Sequence, residues 1–253
     1  MVGFMSPPVT LLSLSATAVP AALAGLAIGL GTRRLVTRFS GAEFSGTEGE
    51  RRGTRPAAGA VEGVTAAVLA ALALRALWPD AAGAAAWPGV PEGVESTPVG
   101  RGAELLAFGW LAVVAVVLSF VDAAVHRLPD RLTLAAYLGT VAPLAVSALA
   151  DGRPGDLLGA GLGGLALAGF YLVLFLVNPA GMGFGDVKFA ASLGTALGWL
   201  GWNTLVTGAF LGLLAGGLYG AALMALRRAG RKSEIPFGPF MAVGTLAAVL
   251  TAL

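Results

Sequence analysis

Apolar residues in this chain come in long blocks rather than at alternating or helical-face spacing. A helix needs about 20 such residues to cross a hydrocarbon core roughly 30 Å thick. By that ruler the sequence predicts eight spans, near 9–31, 58–77, 103–121, 132–150, 157–177, 188–202, 204–226 and 237–253. The sixth is short and interrupted by glycine. Gly and Ala recur throughout the blocks, where small residues let membrane helices approach closely. The expected fold is an all-α polytopic bundle of about eight transmembrane helices.

The polar stretches between the blocks set the orientation. Arg33, Arg34, Arg38, Arg51, Arg52, Arg55, Arg127, Arg131, Lys188, Arg227, Arg228, Arg231 and Lys232 all fall on one side of this arrangement. Only Arg75, Arg101 and Arg153 fall on the other. Thirteen of the 16 basic residues therefore share a side, which the positive-inside rule makes cytoplasmic. Both termini are then expected outside. The first block has no Lys or Arg before it, so it reads as an anchor rather than a cleaved signal peptide. Residues 39–57 read as a flexible cytoplasmic loop. Residues 78–101, with several Pro and Gly, read as an irregular external loop, with Trp78 and Trp87 at headgroup level. That loop separates a two-span region, 1–102, from a six-span remainder, 103–253.

Composition agrees with a chain covered largely by lipid. It is 57% hydrophobic and 12% charged, about half the charge of an average soluble chain. No basic stretch is interleaved with aromatics, so no nucleic-acid partner is expected. The chain has no Cys, which excludes disulfides, a CxxC zinc site and a thiol nucleophile. The single histidine, His126, excludes a multi-histidine metal centre. Neither a metal nor a cofactor is expected.

The chemistry is expected in the carboxylates at span ends, because an Asp at membrane depth costs about 2.5–3.5 kcal/mol and is usually functional. Asp122 closes the third span in LSFVDAAVHRLPDRLTL, and Asp186 lies in NPAGMGFGDVKFAASLG between the fifth and sixth. The charge-derived topology puts both on the cytoplasmic side. Two carboxylates at close range share one proton, since both cannot easily ionise. The ionised one can then activate water, and the protonated one can donate to a scissile carbonyl oxygen. Gly181, Gly183 and Gly185 suggest close approach of a substrate to the backbone before Asp186. Blander roles compete. Either Asp could simply be solvated at the interface, and Asp130 after Pro129 reads as a helix cap. Lys188 either snorkels or adjusts the charge around Asp186. His126 is expected to do no chemistry.

Three stretches together carry a resemblance. DAAVHRLPDRLTL resembles the first-aspartate motif of the type IV prepilin peptidases, GMGFGDVKFAASLG resembles their GxGD motif followed by Lys, and EIPFGPFMAVG from Glu234 to Gly244 is similar to their C-terminal signature. They occur in the family's order and cover 103–253 as a peptidase core. The resemblance implies a membrane aspartic protease with Asp122 and Asp186 as its catalytic pair. Asp130, Lys188 and the turn Pro236, Phe237, Gly238, Pro239 become supporting elements. It implies substrates that are type IV prepilins or pseudopilins, whose short basic leader precedes an apolar helix able to dock between spans in lipid. It also implies that the leader ends in Gly. Bifunctional members carry paired CxxC motifs in a methyltransferase region. Here GLGTRRLVTRF stands in that place and Cys is absent, so methylation is not expected. Proteases of the presenilin or signal-peptide-peptidase type share GxGD but carry PAL where this chain has PFGP. A proton-coupled transporter or a noncatalytic assembly protein remains an alternative.

Overall fold

The computed structural model describes residues 26–38, 59–77, 96–179, 182–226 and 236–251. Much of the predicted first span, most of the two long loops, the basic segment 227–235 and Gly181 lie outside the described residues. Those residues form eight helices and no strand. Helix α1 covers 26–38. It is followed by α2 (Ala60–Leu77), α3 (Pro98–Val125), α4 (Asp130–Ala150), α5 (Pro154–Val177), α6 (Phe184–Leu200), α7 (Trp202–Ala225) and α8 (Gly238–Thr251).

Four of these, α3, α4, α5 and α7, are long and apolar enough to cross a membrane. Their outward faces are apolar: Leu149 is 83% exposed, Val177 78% and Leu165 72%. Such a surface is stable against hydrocarbon and unfavourable against water. Helix α6 has only 17 residues. It lies at the centre, with Phe189, Ala190, Ala196 and Leu197 fully buried, so protein rather than lipid surrounds it. Helix α8, with 14 residues, is likewise shorter than the ruler used for the sequence.

Helix ends follow local chemistry. The Thr97 hydroxyl accepts from the Gly100 N–H and Pro98 opens α3, a combination suited to N-termini. At the other end His126 takes a left-handed conformation (φ 53°) and its N–H donates to the Asp122 carbonyl. Helix α3 therefore runs past the expected end at 121 and carries Asp122 inside its last turn. Helices α6 and α7 are joined by Gly201 alone, whose φ of 114° excludes a side chain.

Glycine seams fix the two helices that matter most for the site. On α5 and α6, Gly159 and Gly163 face Gly194 and Gly198; a Cβ on Gly163 would lie 2.6 Å from the Gly194 carbonyl oxygen. On α7 and α8, a Cβ on Gly244 would lie 2.4 Å from the Gly212 nitrogen. The backbones touch in both seams, as the small-residue blocks predicted.

A buried ionic cluster ties the far end of α3 to α4 and α5. Arg153 pairs with Glu104, and with Asp151 and Asp156 at 3.1 Å each. Ser147 donates to Glu104 at 3.0 Å, and the guanidinium lies 5.2 Å from the Trp199 ring centre. Glu104 precedes Asp122 by eighteen residues on one helix, which places the two about 27 Å apart, close to a hydrocarbon thickness.

Candidate active site

Asp122 and Asp186 are both buried, each 4% exposed. Sixty-four positions separate them in the chain, yet α3 and α6 bring their carboxylates within electrostatic range of one another. No hydrogen bond joins them directly; each is held instead by a helix N-terminus.

Asp122 Oδ2 accepts from the Gly238 N–H at 2.8 Å. Gly238 is the first residue of α8, and the Phe237 carbonyl accepts from Met241 N as the first bond of that helix. The N–H groups of a first helical turn have no partner within their own helix. Asp122 takes one of them and Pro239, lacking an N–H, removes the next. The positive end of the α8 dipole also points at the carboxylate.

Asp186 is the third residue of α6 and folds back on its own helix. Its Oδ2 accepts from the Gly183 N–H at 3.2 Å, in the manner of the acidic half of a capping box. Its Oδ1 is buried with no protein partner. Tyr171 of α5 is 1% exposed and within electrostatic range of Asp186. The Tyr171 ring packs edge-on against Phe237, with centroids 5.9 Å apart. The site thus draws on α3, α5, α6 and α8.

The remaining predicted residues find specific places. Lys188 does not pair with Asp186. Its Nζ contacts Asp130 Oδ1 at 2.6 Å and lies 5.2 Å from the Phe184 ring centre. Asp130 is the first residue of α4 and not its cap, a position held by Pro129 with no side-chain bond. The pair is largely exposed and links the starts of α4 and α6. Gly185 has a different role from the one its spacing suggested: a Cβ there would lie 2.6 Å from the Leu128 Cβ, so the glycine admits the chain's own α3–α4 connection. Gly183 has negative φ and nothing nearer than 3.7 Å to an added Cβ. Pro236 and Phe237 lead directly into α8, and Gly238 and Pro239 begin it, so PFGP is a helix start rather than a free turn. Among the described residues no cluster of three His, Asp or Glu could hold a metal.

Sequence reasoning passed over Tyr171, Glu104 and Leu128. A lone Tyr within an apolar span was the available signal for the first, because a buried hydroxyl needs a polar neighbour. A carboxylate inside the predicted span 103–121 was the signal for the second. Leu128 gave none, since it looks like any apolar loop residue.

Comparison with known proteins bears on the same residues. A family model described as the type IV leader peptidase family matches residues 109–221, which include Asp122 and Asp186. A prepilin leader peptidase/N-methyltransferase of Aeromonas salmonicida is 38% identical over 143 residues, 55% of this chain and 47% of that relative. One from Pseudomonas aeruginosa is 36% identical over 149 residues, 58% of this chain and 48% of the relative. The chain therefore spans about half the length of these curated relatives. The leader peptidase HopD of Salmonella typhimurium is 35% identical over 132 residues, 51% of this chain and 82% of that protein. No solved structure matches. With a shorter relative matched over most of its length and the family model lying across both aspartates, the chain belongs to the type IV leader peptidase family of proteases.

Proposed function

We propose that this chain is a membrane aspartic endopeptidase that removes the basic leader of type IV prepilins or pseudopilins at the cytoplasmic face of the bacterial cytoplasmic membrane. The observation that carries the reading is a pair of buried aspartates from distant parts of the chain, within electrostatic range of one another and each oriented by a helix N-terminus. In that arrangement one carboxyl is ionised and the other protonated. The ionised carboxylate takes a proton from water as its oxygen attacks the scissile carbonyl carbon. The protonated partner donates to the carbonyl oxygen. When the tetrahedral intermediate collapses, the C–N bond breaks, the leaving amine takes a proton and the pair returns to its starting state. No metal ion is needed for this balance.

Two features support cleavage without methylation. The chain has no Cys with which to build a paired-CxxC zinc site, and a relative of which it covers 82% is named as a leader peptidase alone. The direct test co-expresses the chain with a prepilin and follows the shift from precursor to mature protein. Wild type should process the substrate, while Asp122→Asn and Asp186→Asn should each abolish processing and leave membrane insertion intact. Retained cleavage in either variant would remove the dyad from the mechanism. Replacing the Gly that ends the substrate leader with a bulky residue should also stop cleavage, without affecting substrate insertion.

A further inference from the structure

An apolar groove of about 310 Å³ lies along the side of α3 that faces α2 and α8. Its floor follows one face of α3 from Phe108 through Ala112 to Ala123, while Val64 of α2 and Val243 of α8 form its walls. Val243 is 60% exposed, so the groove opens sideways rather than into the core. Its volume is about twice that of a dry apolar cavity able to hold a benzene ring. That space takes side chains from one face of a helix, not a whole helix. Along α3 it extends fifteen residues, or about 22 Å at helical rise.

The end of the groove distinguishes it from a lipid-filled crease. Ala123 is the neighbour of Asp122, and Pro239 is the neighbour of Gly238, which holds the Asp122 carboxylate. A chain lying in the groove arrives beside the dyad. We infer that the groove seats the apolar segment on the carboxyl side of the scissile bond, as a helix running away from Asp122 and antiparallel to α3. This rests on the peptidase reading above and adds where the substrate lies. The occupant is helical because backbone at membrane depth must satisfy its own hydrogen bonds. Ser119, one of the few polar residues lining the groove, sits one turn before Asp122. There the substrate helix has to unwind to present its bond, and the hydroxyl can meet a backbone group released by unwinding.

The absence of Cys makes a register test clean. Ala123→Cys and Ala112→Cys are made singly in the full chain carrying Asp186→Asn, so that bound substrate stays uncut. Each is co-expressed with a prepilin carrying one Cys moved stepwise along its apolar segment, and membranes are oxidised with copper phenanthroline. The Cys at 123 should link to substrate positions next to the scissile bond. The Cys at 112 should link about eleven residues further from it, because both helices rise 1.5 Å per residue. Absence of substrate links at both positions, or links with no such shift, would overturn the inference. So would a groove Cys at either position linking instead to a Cys placed in this chain's own residues 9–25 or to a second copy. Cleavage by wild type keeps the peptidase reading in those cases; only failure of wild type to cleave removes that reading itself.

Discussion

Asp122 and Gly238 lie 116 positions apart in the chain, and one hydrogen bond of 2.8 Å joins them across the α3–α8 interface. The carboxylate of one helix caps the first turn of another. A Cβ added to Gly238 would lie 3.0 Å from Asp122 Oδ2, so any side chain there displaces the carboxylate by a few tenths of an ångström. Gly238→Ala should therefore lower processing while leaving the protein in the membrane. Gly238→Pro also deletes the donor. A hydrogen bond to a charged group is worth about 1.5–3 kcal/mol, so its loss should cost roughly 10- to 100-fold in rate. Timed precursor conversion at matched protein levels measures both, and wild-type rates in the Pro variant would refute the capping role.

The two glycines before Asp186 should separate cleanly. Gly185→Ala drives a methyl into Leu128 at 2.6 Å, an overpacking of a kind that costs about 1–3 kcal/mol. Thermal unfolding in detergent should show the loss, and Gly185→Ala should cost less in a Leu128→Gly background, where the Cβ that the methyl meets is gone. Gly183→Ser should be tolerated within a few-fold in activity, because the backbone there is extended, an added Cβ comes no nearer than 3.7 Å to Asp186 Oδ2, and Ser is a good N-cap.

The ionic cluster at the far end of α3 predicts a strong asymmetry. Arg153→Leu alone leaves Glu104 buried without its cation, at a cost of about 3–5 kcal/mol. The double variant Glu104→Leu, Arg153→Leu should be more stable than Arg153→Leu. Equal destabilisation in single and double variants would mean that packing, not the charge pair, holds this end together.

Acidification should weaken the same cluster through Asp151, which lies between α4 and α5. Burial alone would raise its carboxyl, but hydrogen bonds from Thr97 and the charge of Arg153 outweigh burial and hold it below the usual carboxylate range. A folded-state value below the unfolded one stabilises the protein above the ordinary Asp value of about 4. That contribution is lost as pH falls through the folded value. The Tm of wild type in detergent should therefore drop more steeply below about pH 4 than that of Asp151→Asn.

Thiol reagents and chelators should leave processing unchanged. There is no Cys to alkylate, and the proposed chemistry uses two carboxylates and water. Loss of cleavage in EDTA, restored by a divalent metal, would require a different mechanism.

The sequence alone determined the all-helical membrane character, because apolar blocks have few stable alternatives in lipid. The insertion cost of carboxylates at span ends pointed to Asp122 and Asp186, although Glu104, inside a predicted span, was passed over. The sequence also determined that small residues would line helix contacts, as in the Gly163–Gly194 and Gly212–Gly244 seams. What it left open is which face of each block meets which neighbour. An apolar block has no strong preferred face, so partner choice is set by how backbones fit, not by where hydrophobic residues fall. Only tertiary packing decided that Lys188 turns to Asp130 rather than Asp186, and that Gly185 makes room for Leu128. Tertiary packing also made PFGP the start of a helix aimed at Asp122, and brought Tyr171 within electrostatic range of Asp186. Each of these depends on a contact between residues far apart in the chain, and a contact of that kind leaves no local pattern to read.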